Sequence, residues 1–179
     1  GFIGQIIARI LKKKVRNLNL TVIDRNLFKL KEIKKFSSGQ YVFRNANTKE
    51  DNYLLSSLRN KYDVVIENSG NNRNFVSSIN FAKKNALVIF SGNPNNHIQF
   101  TKNSLSDILR KELLIKGVWN SSFKKKMNNW KSAENFLNEV KNNGLDQLIT
   151  HSVYLDEAKE LLNNIYLAKN KKTNFHYIK

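Results

Sequence analysis

Two glycines three positions apart open the chain as Gly1-Phe2-Ile3-Gly4, and a helical pattern follows them without a break. The spacing matches the last four positions of a G-x-G-x-x-G turn. In such a turn one glycine lets the backbone approach a pyrophosphate and another lets the helix pack close to a strand. The helix N-terminus then presents free N–H groups and the positive end of its dipole. Gly1 and Gly4 are the candidates for those positions, although taken alone the pair also reads as an ordinary tight turn. Asp24 adds to it, because it ends the run Leu20-Thr21-Val22-Ile23-Asp24, twenty residues after Gly4. A carboxylate at the tip of the second strand, about 20 residues past the turn, accepts hydrogen bonds from adenosine ribose hydroxyls and repels the 2′-phosphate of NADP. The competing reading makes Asp24 the N-cap of the helix that follows. Arg25 beside it blurs the choice between cofactors, since an arginine there accommodates a 2′-phosphate.

These residues need strands to hold them at one edge, and the apolar pattern supplies the strands. Helical patterns fall at residues 2–14, 26–36, 48–59 and 73–83, with short apolar runs between them at 18–23, 40–43, 63–67 and 86–90. Such alternation is the signature of right-handed crossovers and a parallel sheet covered on both faces, so the fold class is α/β. After Pro94 the rhythm changes to an extended piece at 97–100, a helix at 104–111 and a strand at 113–118. Two further helices at 130–141 and 155–169 precede a strand at 173–178. Gly144 is placed as the stop of the first of these helices, and either Tyr154 or Asp156 starts the second.

Composition narrows the chemistry. The 179 residues include no cysteine, which excludes disulfides and thiolate zinc sites from this chain, and His97, His151 and His176 show no metal-ligand spacing. No apolar run approaches the ~20 residues that cross a bilayer, and the chain is expected to be soluble and cytoplasmic. The net charge of +17 would suit a polyanion. Its dense runs are short, however, at Lys12-Lys13-Lys14, Lys124-Lys125-Lys126 and Lys169-Asn170-Lys171-Lys172. A general Lys/Asn bias accounts for them better than a binding face, so neither nucleic acid nor a membrane is expected as partner.

The whole chain resembles the C-terminal half of the zinc-dependent medium-chain alcohol and polyol dehydrogenases. The likeness runs through Gly1-Phe2-Ile3-Gly4, Val22-Ile23-Asp24, Asp63-Val64-Val65-Ile66-Glu67-Asn68-Ser69-Gly70, Phe90-Ser91-Gly92 and Ile108-Leu109-Arg110-Lys111-Glu112-Leu113. The segment Gly117-Val118-Trp119-Asn120-Ser121-Ser122, with Trp130 downstream, looks most like the galactitol-1-phosphate dehydrogenase branch, and Leu148-Ile149-Thr150-His151 is similar to the family's return segment.

The resemblance implies a Rossmann-type doubly wound sheet over residues 1–118 and a segment over 119–179 that returns to a catalytic domain. It implies NAD as cofactor, with Phe2 and Ile3 offering N–H groups to the pyrophosphate, and Asp24 with Lys29 holding the adenosine ribose. Asn68 and Ser69 would line the crevice around adenine and ribose, and Ser91 and Gly92 would lie beside the nicotinamide. For Asn68, Ser69 and Ser91 the alternative is a polar loop residue satisfying local backbone. The resemblance further implies a homodimer paired through residues 117–122, with the Trp119 side chain read as core, and it assigns His151 to ordering a loop.

What the chain lacks relative to that pattern matters equally. The zinc-bearing N-terminal domain, the turn's first glycine and the whole first strand are absent, so zinc is expected only in the missing domain and no catalytic residue in this chain. The intact parent would move a hydride between a polyol or sugar-alcohol phosphate and NAD, and this chain alone would be inactive. The alternative function is a basic α/β module that binds a polyanion. Because the absent strand belongs between the second and fourth, the resemblance predicts a gap between strands 18–23 and 63–67.

Overall fold

The first helix forms because the apolar residues of Ile-Gly-Gln-Ile-Ile-Ala-Arg-Ile-Leu recur at helical spacing, and three lysines in its last turn complement the negative end of its dipole. In the computed structural model it spans Phe2–Lys14 (α1) and buries Ala8 and Arg9. Burial pushes the Arg9 guanidinium below its usual pKa, and the Glu32 carboxylate opposes that. The structure describes residues 1–35, 39–43, 49–119, 121–124, 127–139, 145 and 148–170. The chain divides into two compact units, Gly1–Asn138 and Glu139–Lys179.

Within the first unit, strands and helices alternate. Thr21–Asp24 (β1), Leu27–Lys34 (α2), Gln40–Phe43 (β2), Lys49–Ser57 (α3), Tyr62–Glu67 (β3), Asn72–Phe81 (α4), Ala82–Phe90 (β4), Lys102–Arg110 (α5) and Leu114–Gly117 (β5) follow one another. A hairpin of Phe123–Lys124 (β6) and Met127–Asn128 (β7) then leads into Asn129–Glu139 (α6). In the second unit the described helix is Ala158–Asn170 (α7).

All the long strands run parallel, as alternation requires, but they form two sheets. β1 pairs with β2 from Thr21↔Gln40 to Asp24↔Phe43. β4 lies between β3 and β5, with Val88 opposite Val65 on one side and Ile115 on the other. Among the described residues nothing pairs β1 with β3. The expected gap is there, and a cleft of about 160 Å³ lies in it, with Thr21 and Ile23 from β1 facing Tyr62, Val64, Val65 and Ile66 from β3. The fold is therefore the Rossmann-type sheet with its first strand missing. One core cluster (Ile79, Ala82, Ala86, Val88) belongs to the three-stranded sheet, and a second (Val42, Leu58, Phe81) is shared with Ile23 of β1 and Tyr62 and Val65 of β3.

Several boundaries differ from expectation for local reasons. The helix read to residue 83 stops at Phe81, because Ala82 turns to an extended conformation and Lys83 and Lys84 enter β4. Asn85, at a φ of 61°, marks the irregularity that shifts the β3–β4 register. The piece at 97–100 has no ladder partner. α5 starts earlier than read because Thr101 caps it, its hydroxyl accepting from Ser104 N–H at 3.2 Å. Residues 117–122 do not form one strand: Gly117 ends β5 and the next strand begins at Phe123. The expected strand at 173–178 and the Gly144 stop lie outside the described residues.

Candidate functional site

Parallel strands place their carboxyl ends on one edge, and the candidate residues collect there. Gly1 N-caps α1 with no side-chain cap hydrogen bond, and a Cβ at Gly1 would meet nothing within 4 Å. Phe2 and Ile3, both 59% exposed, carry the next amides. Gly4 lies against the end of β3, where a Cβ on it would sit 3.1 Å from Asn68 Nδ2. A side chain at that position would require the Asn68 amide to give by a few tenths of an ångström.

Asp24 ends β1 beside the same turn. Its Oδ2 accepts from the Gly1 ammonium at 2.9 Å, and its Oδ1 accepts from Asn26 N–H at 2.8 Å. The capping alternative goes to a different residue, since Asn26 caps α2 by accepting from Lys29 N–H at 3.1 Å. Lys29 is half-buried on the first turn of that helix. A carboxylate offers about four lone-pair sites, so the two bonds Asp24 accepts from Gly1 and Asn26 leave acceptor capacity on its oxygens.

At the ends of β3 and β4 the two turns are interlocked. Ser91 N–H and Gly92 N–H both donate to the Glu67 carbonyl, at 2.9 and 3.1 Å, and Ser91 Oγ donates to the same oxygen at 3.2 Å. A Cβ at Gly92 would come within 2.4 Å of Gly70 N, so only glycine fits that crossing. Gly70 itself has a φ of 70°. The reading of Ser91 as satisfying local backbone therefore describes its hydroxyl in this structure.

Sequence reasoning missed Glu67. Its carboxylate, 4% exposed, accepts from Ser69 N–H at 2.8 Å, from Ser69 Oγ at 2.5 Å and from Gly70 N–H at 3.3 Å. A signal was present in Glu67-Asn68-Ser69-Gly70, where a carboxylate precedes a hydroxyl by two positions and a glycine by three.

Trp119, read as core, is 72% exposed and so is not packed in this chain; Val118 beside it is 45% exposed. Val118 N–H donates to Phe90 O at 2.8 Å, extending the β4–β5 ladder, while Ser122 and Asn129 bond across the base of the β6–β7 hairpin. His151, in the second unit, is exposed and shares a 2.9 Å hydrogen bond with Thr150 Oγ1. No cluster of three or more His, Cys, Asp or Glu suited to a metal occurs among the described residues, and none of their helices is long and apolar enough to cross a membrane.

Comparison with known proteins bears on the family and the fold. Residues 3–139 match the family model described as zinc-binding dehydrogenase. No curated protein sequence matches the chain. Among solved structures the chain is similar to galactitol-1-phosphate dehydrogenase from Escherichia coli, with 22% identity and a TM-score of 0.64 over 80% of this chain and 42% of that one. An alcohol dehydrogenase from Thermotoga maritima gives 18% identity and 0.72 over 93% and 45%. A short chain alcohol dehydrogenase from E. coli CFT073, complexed with NADH, gives 17% identity and 0.72 over 93% and 46%. The chain spans less than half the length of each of these structures. With the family model covering most of its residues, this chain belongs to the zinc-binding dehydrogenase family.

Proposed function

We propose that this chain is the NAD-binding half of an oxidoreductase that moves a hydride between NAD and a polyol or sugar-alcohol phosphate. The observation that carries the reading is the meeting of three elements at one edge: the uncapped first turn of α1, Asp24 at the end of β1, and Asn68 against Gly4. An uncapped helix N-terminus beside a strand-end carboxylate suits a pyrophosphate joined to a ribose. Bound NAD supplies the hydride acceptor. The chain's own residues bind and orient it: Phe2, Ile3 and Gly4 N–H at the pyrophosphate, with Gly1 giving the backbone room to approach. Asp24 and Lys29 hold the adenosine ribose, Asn68 and Ser69 line its crevice, and Ser91 and Gly92 lie beside the nicotinamide.

The described residues do not fit the family's zinc, since they include no group of three or more His, Cys, Asp or Glu suited to a metal. We place the catalytic groups in a part of the protein outside this chain, with residues 1–118 as the cofactor-binding part and 119–179 as the segment returning to the catalytic domain. The exposed pair Val118 and Trp119, within residues 117–122, supports a homodimer through that segment. The absence of cysteine suits a cytoplasmic setting.

The test is a fluorescence titration of the 179-residue chain with NADH and NADPH. Saturable binding of NADH, tighter than NADPH, is expected, with no turnover of galactitol 1-phosphate whether or not zinc is added. No saturation by about 1 mM NADH, the upper end of ordinary KM values, overturns the cofactor assignment. Turnover overturns the placement of the chemistry outside this chain.

A further inference from the structure

We infer that Glu67 is the positioning residue of the crevice, a buried carboxylate that holds the turns after β3 and β4 in the register a dinucleotide needs. The inference rests on the NAD-binding reading and deepens it. A buried carboxylate held by neutral donors returns little net stability, and an apolar residue of similar size would fill the end of β3 with less desolvation penalty. What the carboxylate does supply is geometry. Both of its oxygens are committed to one turn: Oε1 takes the Ser69 N–H and hydroxyl, and Oε2 takes the Gly70 N–H.

The main chain of the same residue fixes the second turn, because its carbonyl accepts from Ser91 N–H, Gly92 N–H and Ser91 Oγ. The two turns then close on each other. A Cβ at Gly92 would lie 2.7 Å from Glu67 Oε2, one at Gly70 would run into Asn93 O, and Gly70 O accepts from Asn95 N–H at 3.1 Å. Any shift of the carboxylate is transmitted to both.

Ser69 carries the restraint onward. Its hydroxyl donates to Glu67 and accepts from Asn71 N–H at 3.2 Å and Asn74 Nδ2 at 2.7 Å. A hydroxyl has one donor and two acceptor sites, so Ser69 Oγ is saturated inside the protein. In the crevice, therefore, Ser69 acts through the shape of its turn, and direct side-chain contact with a ligand falls to Asn68.

The experiment compares Glu67→Gln, Ser69→Ala and the double variant in the 179-residue chain, by amide hydrogen exchange without ligand and by NADH titration. Glutamine keeps one oxygen for Ser69 but turns an NH2 toward the Gly70 N–H, leaving two donors face to face. Amides of Ser69 and Gly70 are expected to exchange at least about tenfold faster, with a smaller rise at Ser91 and Gly92 and none at Val88. NADH affinity at a temperature where all variants are folded is expected to fall roughly tenfold in each single variant. The double variant should lose little more, because both changes break one unit. Unchanged exchange at residues 69, 70, 91 and 92 overturns the positioning role. So does faster exchange with unchanged NADH affinity, which is the pattern of a purely structural group. Additive losses overturn the saturation of Ser69. A parent chain that takes up no NADH overturns the dinucleotide reading itself, and the exchange arm still decides whether Glu67 holds the turns.

Discussion

The two sheets differ in how their strands are covered. β4 is paired on both sides, and its inward residues Ala86 and Val88 are 2% and 0% exposed, packed with the fully buried Ile79 of α4. Among the described residues β1 is paired on one side only, and all four of its residues are half-buried. Across the cleft Val64 of β3 is 50% exposed. Yet the proposed ribose carboxylate, Asp24, stands on β1, whereas Ser91 and Gly92 form the turn just after the well-covered β4. Burial is thus concentrated in one half of the crevice, and the proposed selection between cofactors falls to the other.

The largest expected effect breaks the covered half. Ile79→Ala removes a fully buried side chain and should cost about 2–5 kcal/mol of stability. Ile23→Ala on β1, facing the cleft, should cost roughly 1–2 kcal/mol, because its site is already partly open. Urea unfolding of the two variants checks this. Equal losses would show that the two sheets are equally well covered.

Hydrogen exchange sharpens the same contrast without a mutation. Amides of β4 are expected to exchange about two orders of magnitude more slowly than those of β1, since opening free energies follow local burial and pairing. Matching protection in both strands would mean that something closes the edge between β1 and β3 in solution.

Asp24→Ala separates function from stability in the thinly covered half. Loss of a charged acceptor should weaken NADH roughly tenfold and leave NADPH unchanged or improved. The Gly1–Asp24 ion pair lies at the surface, so stability should change by less than about 1 kcal/mol. Equal discrimination of the two cofactors by variant and parent would reduce Asp24 to the turn it makes with Asn26.

How much of this was legible in the sequence follows the same physics. β2 has the bounds read from its apolar run, and the gap between β1 and β3 followed from recognising which strand was absent. The end of α4 was not legible because no glycine or proline marks it; Lys83 and Lys84 continue a helical pattern, and Asn85 bends the strand instead. Trp119 looked like core because large aromatics bury area well, and nothing local in the sequence says which surface covers it. The β6–β7 hairpin was hidden in a lysine run that carries no turn signature. At the candidate site, the places of Gly4 at the start of α1 and of Asp24 at the end of β1 were readable from spacing. The role of Glu67 depends on two turns meeting across residues 67–92, and only the folded chain shows that.

The smallest expected effect sits at a helix end in the covered half. α5 closes in a Schellman arrangement, with Leu113 N–H donating to Ile108 O at 3.2 Å and Glu112 N–H to Leu109 O at 3.1 Å. That arrangement puts Glu112 at a φ of 51°, a left-handed conformation that a side chain with a Cβ resists and glycine accepts. Glu112→Gly should relieve about 1 kcal/mol of this strain. It forfeits the Lys84–Glu112 ion pair at 3.6 Å, which is exposed on both sides and worth little, and it adds some freedom to the unfolded chain. The net is a gain of roughly 0.5 kcal/mol, read as a rise of about 1–2 °C in Tm. In the other half Asn17 holds a φ of 55° before β1. Asparagine already tolerates that region, so Asn17→Gly should move Tm less than Glu112→Gly does. If Asn17→Gly stabilises more, the strain left in this fold lies on the thinly covered side, and the ranking of the two halves reverses at the level of the backbone.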